Sequence, residues 1–365
     1  MNHDVAHLGT FVDARYGKAL REDERSSSGM FDVFGSSGIV GKHTSRVTAG
    51  PTIIVGRKGS VGALTFAPNG GWPIDTAYYL EWKNGVAGDW RYLFHALSAA
   101  DLARHEITTS IPGLNRDRLL ETPIKFPVFA EQCRIAGRLD KADAIRRKHR
   151  DALKLADEFL RSVFLDMFGD PVTNSKGWDD LPIKEIATVT TGNTPSRQVL
   201  DYFGDHIEWI KSDNINTSNH HLTKATEGLS QIGLEVGRSA PAGSTLVTCI
   251  AGSPACIGNA ALSDRRVAFN QQINALTPKP GIEPEFLYAV TLFSKVRIQA
   301  ASTNGMKGMV SKGALEQVHF ILPSKPERLA FVRIFEKVLT TLRKMHVASE
   351  EADRLFKSLQ QQAFS

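Results

Sequence analysis

The sequence lacks the features that mark several protein classes. It has only three cysteines, Cys133, Cys249 and Cys256, with no even count and no metal-ligand spacing, which predicts free thiols in a reducing compartment. No stretch approaches the roughly eighteen apolar residues of a membrane span, and the N-terminus lacks the basic-then-apolar pattern of a signal peptide. We therefore expect a soluble, cytoplasmic protein that does not contact a membrane.

Recognisable catalytic and metal-binding motifs are also missing. Residues 38–42 resemble a phosphate-binding loop, but that loop requires glycine in place of Ser36 and serine or threonine in place of His43. No Gly-x-Ser-x-Gly elbow occurs, nor the Asn/Asp-Pro-Pro-Tyr/Phe stretch that holds the target amine in amino-methyltransferases. His220 and His221 have no further ligand at suitable spacing, so we predict a solvated loop there and no metal site. Catalytic motifs are thus absent from the sequence, although a Ser-His-Asp arrangement formed only in the fold stays open.

The composition is that of an ordinary globular protein with a small positive excess. Hydrophobic residues make up 42% and aromatic residues 8% of the 365 positions, enough for two or three domain cores. The net charge is +5 and the pI is about 9.0. This balance favours a polyanionic partner without requiring one.

A long helical segment occurs twice, at residues 126–168 and 322–365. A shift of 196 residues aligns the two copies without a gap, so that Pro127 matches Pro323 and Phe168 matches Phe364. In both copies apolar residues recur in steps that alternate four and three, which is the pattern of a coiled-coil seam. The predicted seam residues are Ile135, Leu139, Leu153, Leu160 and Val163 in the first copy and Phe331, Phe335, Val338, Leu342, Met345, Phe356 and Leu359 in the second.

Two such seams in one chain most simply pack on each other, although two unrelated core helices are an alternative. Each helix would be roughly 60 Å long, and an antiparallel pair lets the region between the helices lie at one end. Arg146 and His149 interrupt the first seam, and polar residues there would cost stability but define the register. The basic run 146–150 either neutralises DNA phosphates or forms a solvated helix face.

The remaining regions, residues 1–125 and 169–321, repeat a second plan. Residues 8–17 match residues 183–192, and both regions contain short apolar strands, glycine turns and a helical stretch. Scaffold positions match and loop positions differ, as expected of a duplicated binding module. The predicted fold class is α+β: two mixed α/β domains separated by two long helices that form an antiparallel coiled coil, with pseudo-twofold symmetry.

Polar residues on or beside glycine turns are the candidate binding residues. Arginine and lysine can bind guanine or phosphate, and asparagine and glutamine can pair with adenine, although surface loops are polar in most proteins. The candidates are Lys18, Ser36, Ser37, Lys42, His43, Arg57 and Lys58 in the first domain, and Thr194, Ser196, Arg197, Lys211, Asp213, Asn214, Gln271, Gln272, Asn304 and Lys307 in the second.

Five short stretches stand in order along the chain: residues 16–20 (YGKAL), 34–39 (FGSSGI), 192–196 (GNTPS), 209–212 (WIKS) and 270–273 (NQQI). Taken in order, they resemble the specificity subunits of Type I restriction-modification enzymes over nearly the whole chain. Residues 74–76 (IDT) align with 270–272 (NQQ), so glutamine contacts cannot be assumed in both domains.

The resemblance implies a DNA-binding subunit that is not itself catalytic. Each α/β region would be a target-recognition domain that reads one half of a bipartite double-stranded DNA site. The helical pair would set the spacer between the halves and dock two methyltransferase subunits, and two restriction/translocase subunits would complete the complex. No cofactor is expected on this chain, whereas S-adenosylmethionine, ATP and Mg are expected on the partner subunits. A coiled-coil scaffold that binds only proteins, and an enzyme with an unrecognised site, are the alternatives.

Overall fold

The computed structural model describes residues 5–102, 106–107, 113–217, 219–303 and 308–365. The chain divides into two compact units, residues 1–150 with 347–365 and residues 151–346. Each unit therefore contains one α/β domain together with half of each long helix. Across the described ranges, no helix is long and apolar enough to cross a membrane.

The first unit consists of short strands and short helices followed by the start of a long helix. Its strands are β1 (Val5–His7), β2 (Val12–Tyr16), β3 (Phe31–Gly35), β4 (Gly38–His43), β5 (Thr52–Gly56), β6 (Leu64–Ala67), β7 (Trp72–Pro73), β8 (Ala77–Trp82), β9 (Glu106–Ile107), β10 (Gly113–Leu114) and β11 (Pro123–Lys125). Its helices are α1 (Trp90–Ala99), α2 (Arg116–Leu120) and the first part of α3 (Phe129–Phe168).

The second unit repeats this arrangement with longer connections. Its strands are β12 (Asp179–Pro182), β13 (Ala187–Thr191), β14 (Phe203–Ile210), β15 (Gly228–Leu229), β16 (Ser239–Ala240), β17 (Thr245–Thr248), β18 (Ile250–Ala251), β19 (Ala260–Leu262), β20 (Val267–Phe269), β21 (Ile273–Pro278), β22 (Gly308–Met309) and β23 (His319–Leu322). Its helices are α4 (Ile183–Ile186), α5 (Gln231–Val236), α6 (Pro284–Phe293), α7 (Lys295–Ala300), α8 (Lys312–Glu316) and the first part of α9 (Lys325–Phe364).

Each unit contains a four-stranded antiparallel sheet with the same strand order. The order is β2-β8-β5-β6 in the first unit and β13-β21-β17-β19 in the second. Every residue of β5 and of β17 is buried, and their apolar and β-branched side chains suit a strand that is covered on both faces. A second sheet, β4-β3-β7 in one unit and β15-β14-β20-β16 in the other, contains one parallel pair in each case. The predicted α+β class with a repeated domain plan is confirmed.

The two long helices pack antiparallel in both units. In the first unit Leu139 and Ala142 of α3 form a buried cluster with Phe356, near the end of α9. In the second unit Phe164, near the end of α3, lies 5.5 Å from the ring of Phe331, near the start of α9. Every predicted seam residue is buried or partly buried. Early residues of one helix therefore meet late residues of the other, and the antiparallel coiled coil is confirmed.

Both long helices begin three residues later than predicted. Pro127 and Pro323 stand at the equivalent point of each copy, and the residue before a proline is biased towards extended backbone. Leu322 accordingly closes β23, and the ring of Phe126 stacks on Phe11 at 3.8 Å. The first residues of each predicted helix therefore belong to the preceding strand or its connection.

The polar break in the seam is an ion pair between the helices. Arg146 Nε lies 2.6 Å from Asp353 Oδ1, and its guanidinium lies 4.2 Å from the ring of Phe356. Arg150 also contacts Asp353 at 3.3 Å, and the hydrogen bond from Arg146 is the main cause that lowers the pKa of Asp353. Arg147 pairs with Asp143 on its own helix at 3.3 Å. All three arginines of the basic run are thus paired within the protein, which weakens the interpretation of the run as a phosphate-binding patch.

The predicted solvated loop at the two adjacent histidines is wrong. His220 Nε2 donates to Asp157 Oδ1 of α3 at 3.0 Å, which leaves Nδ1 to accept from the Tyr288 hydroxyl at 2.8 Å. Burial, and then the nearby positive charge of Arg343, lowers the pKa of His221 to about 4. The histidines therefore join the loop to the helices of the second unit, because the buried Tyr288 and the charged Asp157, both distant in sequence, lie beside the loop.

We expect Phe335→Ala to lower the free energy of unfolding of the protein by about 3–5 kcal/mol. Phe335 is fully buried, with its ring 5.6 Å from Phe331 and 5.9 Å from Tyr288, so truncation leaves a cavity. Urea denaturation measures the loss. Phe159→Ala on α3 removes an exposed ring and should change stability by less than about 1 kcal/mol. Equal losses for both variants would contradict the seam assignment.

We also expect stability to fall as the pH drops from about 6.5 towards 4, partly because of His221. Below pH 6.5 the unfolded chain takes up a proton that the folded imidazole, with its pKa near 4, does not bind. The loss should be about 1–2 kcal/mol, since the ring is only partly buried and its charge is screened. Urea titrations across this pH range should show a shallower slope for His221→Asn, whereas the exposed His206→Asn should retain the wild-type slope.

Candidate nucleic-acid interface

In both units a glycine after the first strand of the four-stranded sheet allows a close backbone approach. A Cβ added at Gly17 would lie 2.0 Å from the carbonyl oxygen of Ile74, and one at Gly192 would lie 2.2 Å from that of Asn270. Only glycine fits at such distances. The two glycines thus bring the chain beside residues 74–76 and 270–272, the two stretches that the sequence alignment matched.

The first unit presents two arginines beside an exposed tyrosine. Tyr16 lies opposite Tyr78 in the β2–β8 pairing, with ring centroids 5.1 Å apart. Arg57, directly after β5, places its guanidinium 4.9 Å from the Tyr16 ring and donates from Nη1 to the Asp75 carbonyl oxygen at 3.0 Å. The guanidinium of Arg116 lies 6.0 Å from the same ring, which is half exposed. We call Tyr16, Arg57, Tyr78 and Arg116 the Tyr16 cluster, and its cations are suited to phosphate or to a base edge.

Tyr78 is a structural member of this cluster. Its hydroxyl donates to the Leu114 carbonyl oxygen at 3.0 Å. Burial, and then the neighbouring Tyr16, raises the pKa of Tyr78 to about 12, so the phenol is neutral at physiological pH. A neutral buried ring leaves the charge of the cluster to the two arginines.

Other predicted residues of the first unit surround the same loops. The Ser36 turn packs against the loop after β5, because a Cβ added at Gly56 would meet the Ser36 carbonyl oxygen at 2.6 Å. Lys18 and Lys58 are exposed near it, after β2 and β5 respectively, and so is Ser37. Two further residues lie along β4 instead: Lys42, which pairs with Asp32 at 3.7 Å, and His43, whose ring stands edge-on to Trp72 at 4.9 Å.

The second unit places one carboxylate between two cations. The β14–β15 register sets Glu227 opposite Trp209, and Lys211 lies two residues further on the same face as Trp209. Lys211 Nζ pairs with Glu227 Oε1, and Arg197 Nη2 lies 2.8 Å from Glu227 Oε2. The hydrogen bond from Lys211, followed by that from Arg197, lowers the pKa of Glu227. With Phe203, whose ring lies 4.6 Å from the Arg197 guanidinium, these residues form what we call the Glu227 cluster.

The remaining predicted residues of the second unit differ in accessibility. Thr194 donates to Gln271, and both are exposed, as are Ser196 and Asp213. Gln272 is partly buried and bonds to the Asn270 side chain at 3.2 Å.

Asn214 is only 6% exposed and shapes its own loop. Its Oδ1 accepts from the Lys211 amide at 3.0 Å, and its Nδ2 donates to the Lys224 carbonyl oxygen at 3.1 Å. The side chain therefore positions the turn after β14 and has no group directed outwards. Asn304 and Lys307 lie outside the described residues.

The binding residues predicted from the sequence did not include Tyr16, Arg116, Trp209 or Glu227. One signal was present, since an aromatic residue stands two positions before a candidate lysine in both Tyr16-x-Lys18 and Trp209-x-Lys211. Alternate residues of a strand share a face, so the pairs could have been recognised. Glu227 lies sixteen residues from Lys211 and becomes its neighbour only through strand pairing. Among the residues that the structure describes, no group of histidine, cysteine and carboxylate side chains could hold a metal ion.

A family model for the Type I restriction modification DNA specificity domain matches residues 2–155 and again residues 175–350. The chain belongs to this family. The family model describes DNA recognition rather than catalysis. Its two matches fall on the two α/β domains and the helices that follow them.

Individual relatives agree with this assignment. The chain is 28% identical over 180 residues to the Type I restriction enzyme HindI specificity subunit of Haemophilus influenzae, a match covering 45% of this chain and 37% of that relative. The matched part is thus well under half of that relative's length. The crystal structure of a Type I restriction-modification S subunit from M. genitalium matches 99% of this chain and 96% of its own, with a TM-score of 0.70 at 14% identity. A structure titled for complex assembly and conformational transition of the type I R-M system covers 99% and 97%, with a TM-score of 0.51 at 15% identity. At these identities the two structures show the fold.

Proposed function

We propose that this chain is the specificity subunit of a Type I restriction-modification complex, and that each α/β domain reads one half of a bipartite double-stranded DNA site. The observation that carries the proposal is the repeated specificity domain, in which each copy holds a partly or fully exposed arginine against an aromatic ring, Arg57 on Tyr16 in the first and Arg197 on Phe203 in the second. Such side chains bind phosphate oxygens and guanine edges, and they position a protein in the major groove.

The two domains would read different half-sites because their accessible side chains differ. The Tyr16 cluster offers two arginines and a phenol. The second domain offers Thr194 and the amide of Gln271 beside the Glu227 cluster. A glutamine amide is suited to adenine, whereas arginine prefers guanine.

We infer further that the helical pair sets the spacer and docks two methyltransferase subunits. On α3 the side chains of Leu155 and Phe159, one turn apart, are 63% and 51% exposed, and exposed apolar side chains of this size favour a protein partner.

Two restriction/translocase subunits would complete the complex. In this proposal the chain is non-catalytic and binds no cofactor, while the partner subunits carry S-adenosylmethionine, ATP and Mg. A protein-only scaffold is the competing function, since it would use the same exposed residues without reading DNA.

Domain exchange tests the proposal. Residues 169–321 would be replaced by the corresponding domain of a relative with a known target, and the methylated sites would be mapped in a host that carries the partner subunits. We expect one half-site to change and the other to stay. The unexchanged chain and a host without the chain are the controls. Methylation that is independent of the chain, or a change in both halves, would contradict the assignment.

Arg57→Ala should weaken DNA binding by about tenfold or more, as loss of an arginine contact typically costs 1–3 kcal/mol. The salt slope is the slope of the logarithm of the binding constant against the logarithm of the salt concentration. If the contact is to phosphate, the magnitude of this salt slope should also fall by about 0.9. Fluorescence anisotropy with a target duplex at several salt concentrations measures both quantities. Arg21→Ala removes the same charge from an exposed position of the same unit and should change binding little. Equal effects of the two variants would remove Arg57 from the interface.

A further inference from the structure

The arginine that stacks closest on an aromatic ring contacts a different acceptor in each cluster, whereas Arg116 of the Tyr16 cluster lies 3.7 Å from the carboxylate of Asp117. In the Tyr16 cluster Arg57 donates to a neutral backbone carbonyl oxygen, that of Asp75. In the Glu227 cluster Arg197 and Lys211 both contact one carboxylate, Arg197 through Oε2 and Lys211 through Oε1. Each oxygen of Glu227 therefore serves one cation, much as two oxygens of a phosphate group would.

Both cations that contact this carboxylate also lie against aromatic rings. The guanidinium of Arg197 lies 4.6 Å from the Phe203 ring and 5.1 Å from the Trp209 ring. The ammonium of Lys211 lies 5.3 Å from the same indole, which is almost fully buried. The rings provide a rigid base, so the two donors keep their separation whether the acceptor is Glu227 or another anion.

The cluster is accessible enough for the acceptor to change. The side chains of Arg197, Glu227 and Lys211 are 55%, 36% and 29% exposed, although the Oε2 atom of Glu227 is itself buried. An ion pair at this exposure is screened by water and salt, so a second anion can compete with the carboxylate. Exchange of the acceptor would need no movement of the sheet.

We propose that Glu227 is a positioning residue of the second recognition domain that occupies the place of a DNA phosphate until DNA binds. This inference rests on the proposed function. Non-specific binding depends almost entirely on phosphate contacts, so a carboxylate that must be displaced weakens it directly. A target duplex offsets the same cost through base contacts that a random duplex lacks, for example at Gln271. Glu227 thus increases the ratio of specific to non-specific affinity while it keeps Arg197 and Lys211 oriented.

Glu227→Gln tests this role, because it keeps the shape of the side chain and removes its charge. Binding would be measured with the full chain assembled with its modification subunits, using a duplex with the methylated target and a scrambled duplex of equal length. We expect the scrambled duplex to bind about three- to tenfold more tightly, with a salt slope steeper by up to about 0.9 for one additional phosphate contact. The affinity for the target duplex should increase less, so the specificity ratio, which is the affinity for the target duplex divided by that for the scrambled duplex, should fall.

Three further variants distinguish a positioning role of Glu227 from a general effect of its charge and from a loss of folding. Glu336→Gln removes the same charge from an exposed site on α9 of the same unit and should leave the specificity ratio unchanged. Glu227→Asp keeps the charge and should retain the wild-type ratio. In an Arg197→Gln background the effect of Glu227→Gln on the salt slope should shrink, because the released cation is gone. Thermal melting of each variant reports whether the unit is folded.

The outcomes distinguish the inference from the function on which it rests. If the wild-type complex binds target and scrambled duplexes equally, the proposed function fails and the inference fails with it. If the wild type is selective but Glu227→Gln and Glu336→Gln behave alike, only the role of Glu227 is overturned. Weaker binding of folded Glu227→Gln to the scrambled duplex would also overturn it, since the carboxylate would then assist phosphate binding. Should Glu227→Gln not fold, the Arg197→Gln and Glu227→Asp variants decide: an unchanged ratio for Glu227→Asp supports the inference, and an unchanged salt slope for Arg197→Gln overturns it.

Discussion

The packing of α3 on α9 is the contact on which both α/β domains depend, because the helices complete the domain cores. In the second unit Phe168 of α3 lies 5.6 Å from Phe286 of α6 and 5.5 Å from Phe331 of α9. In the first unit Phe364, the last residue of α9, lies 5.5 Å from Tyr92 of α1. Removal of either helix would expose apolar surface of a domain as well as of its partner helix. The ion pair between Arg146 and Asp353 adds a polar position that only one register satisfies.

Features that repeat along the chain were predictable from the sequence. The alternating steps of four and three gave the two helices and their seam, since this periodicity has few other physical explanations. The matched segments ending at Gly17 and Gly192 predicted the common domain plan, and the close backbone contacts explain why glycine stands at both positions. Both long helices begin three residues after the start that periodicity predicts, because Pro127 and Pro323 bias the residue before them towards extended backbone.

Features that depend on distant residues were not predictable. Glu227, which pairs with Lys211 and Arg197, lies directly before a different strand, β15. The sequence contains many other carboxylates, so it does not show which of them pairs with these two cations. The pair of histidines was interpreted from sequence neighbours alone, whereas Asp157 and Tyr288, which bind His220, lie more than sixty residues away along the chain. Charges and hydrogen bonds are local in space, and a single sequence carries no direct record of such contacts.

The contact between His220 and Asp157 has a consequence for how recognition domains can be interchanged. Asp157 belongs to the long helix, while His220 and Tyr288 belong to the domain that would be transferred with a new specificity. An incoming domain without an imidazole at that place would lose this side-chain link between its loop and the long helix, although Asp157 is exposed enough to remain hydrated. Compatibility between donor and recipient would then depend on a contact between the domain and the long helix, and a chimera with suitable loops could still recognise its site poorly.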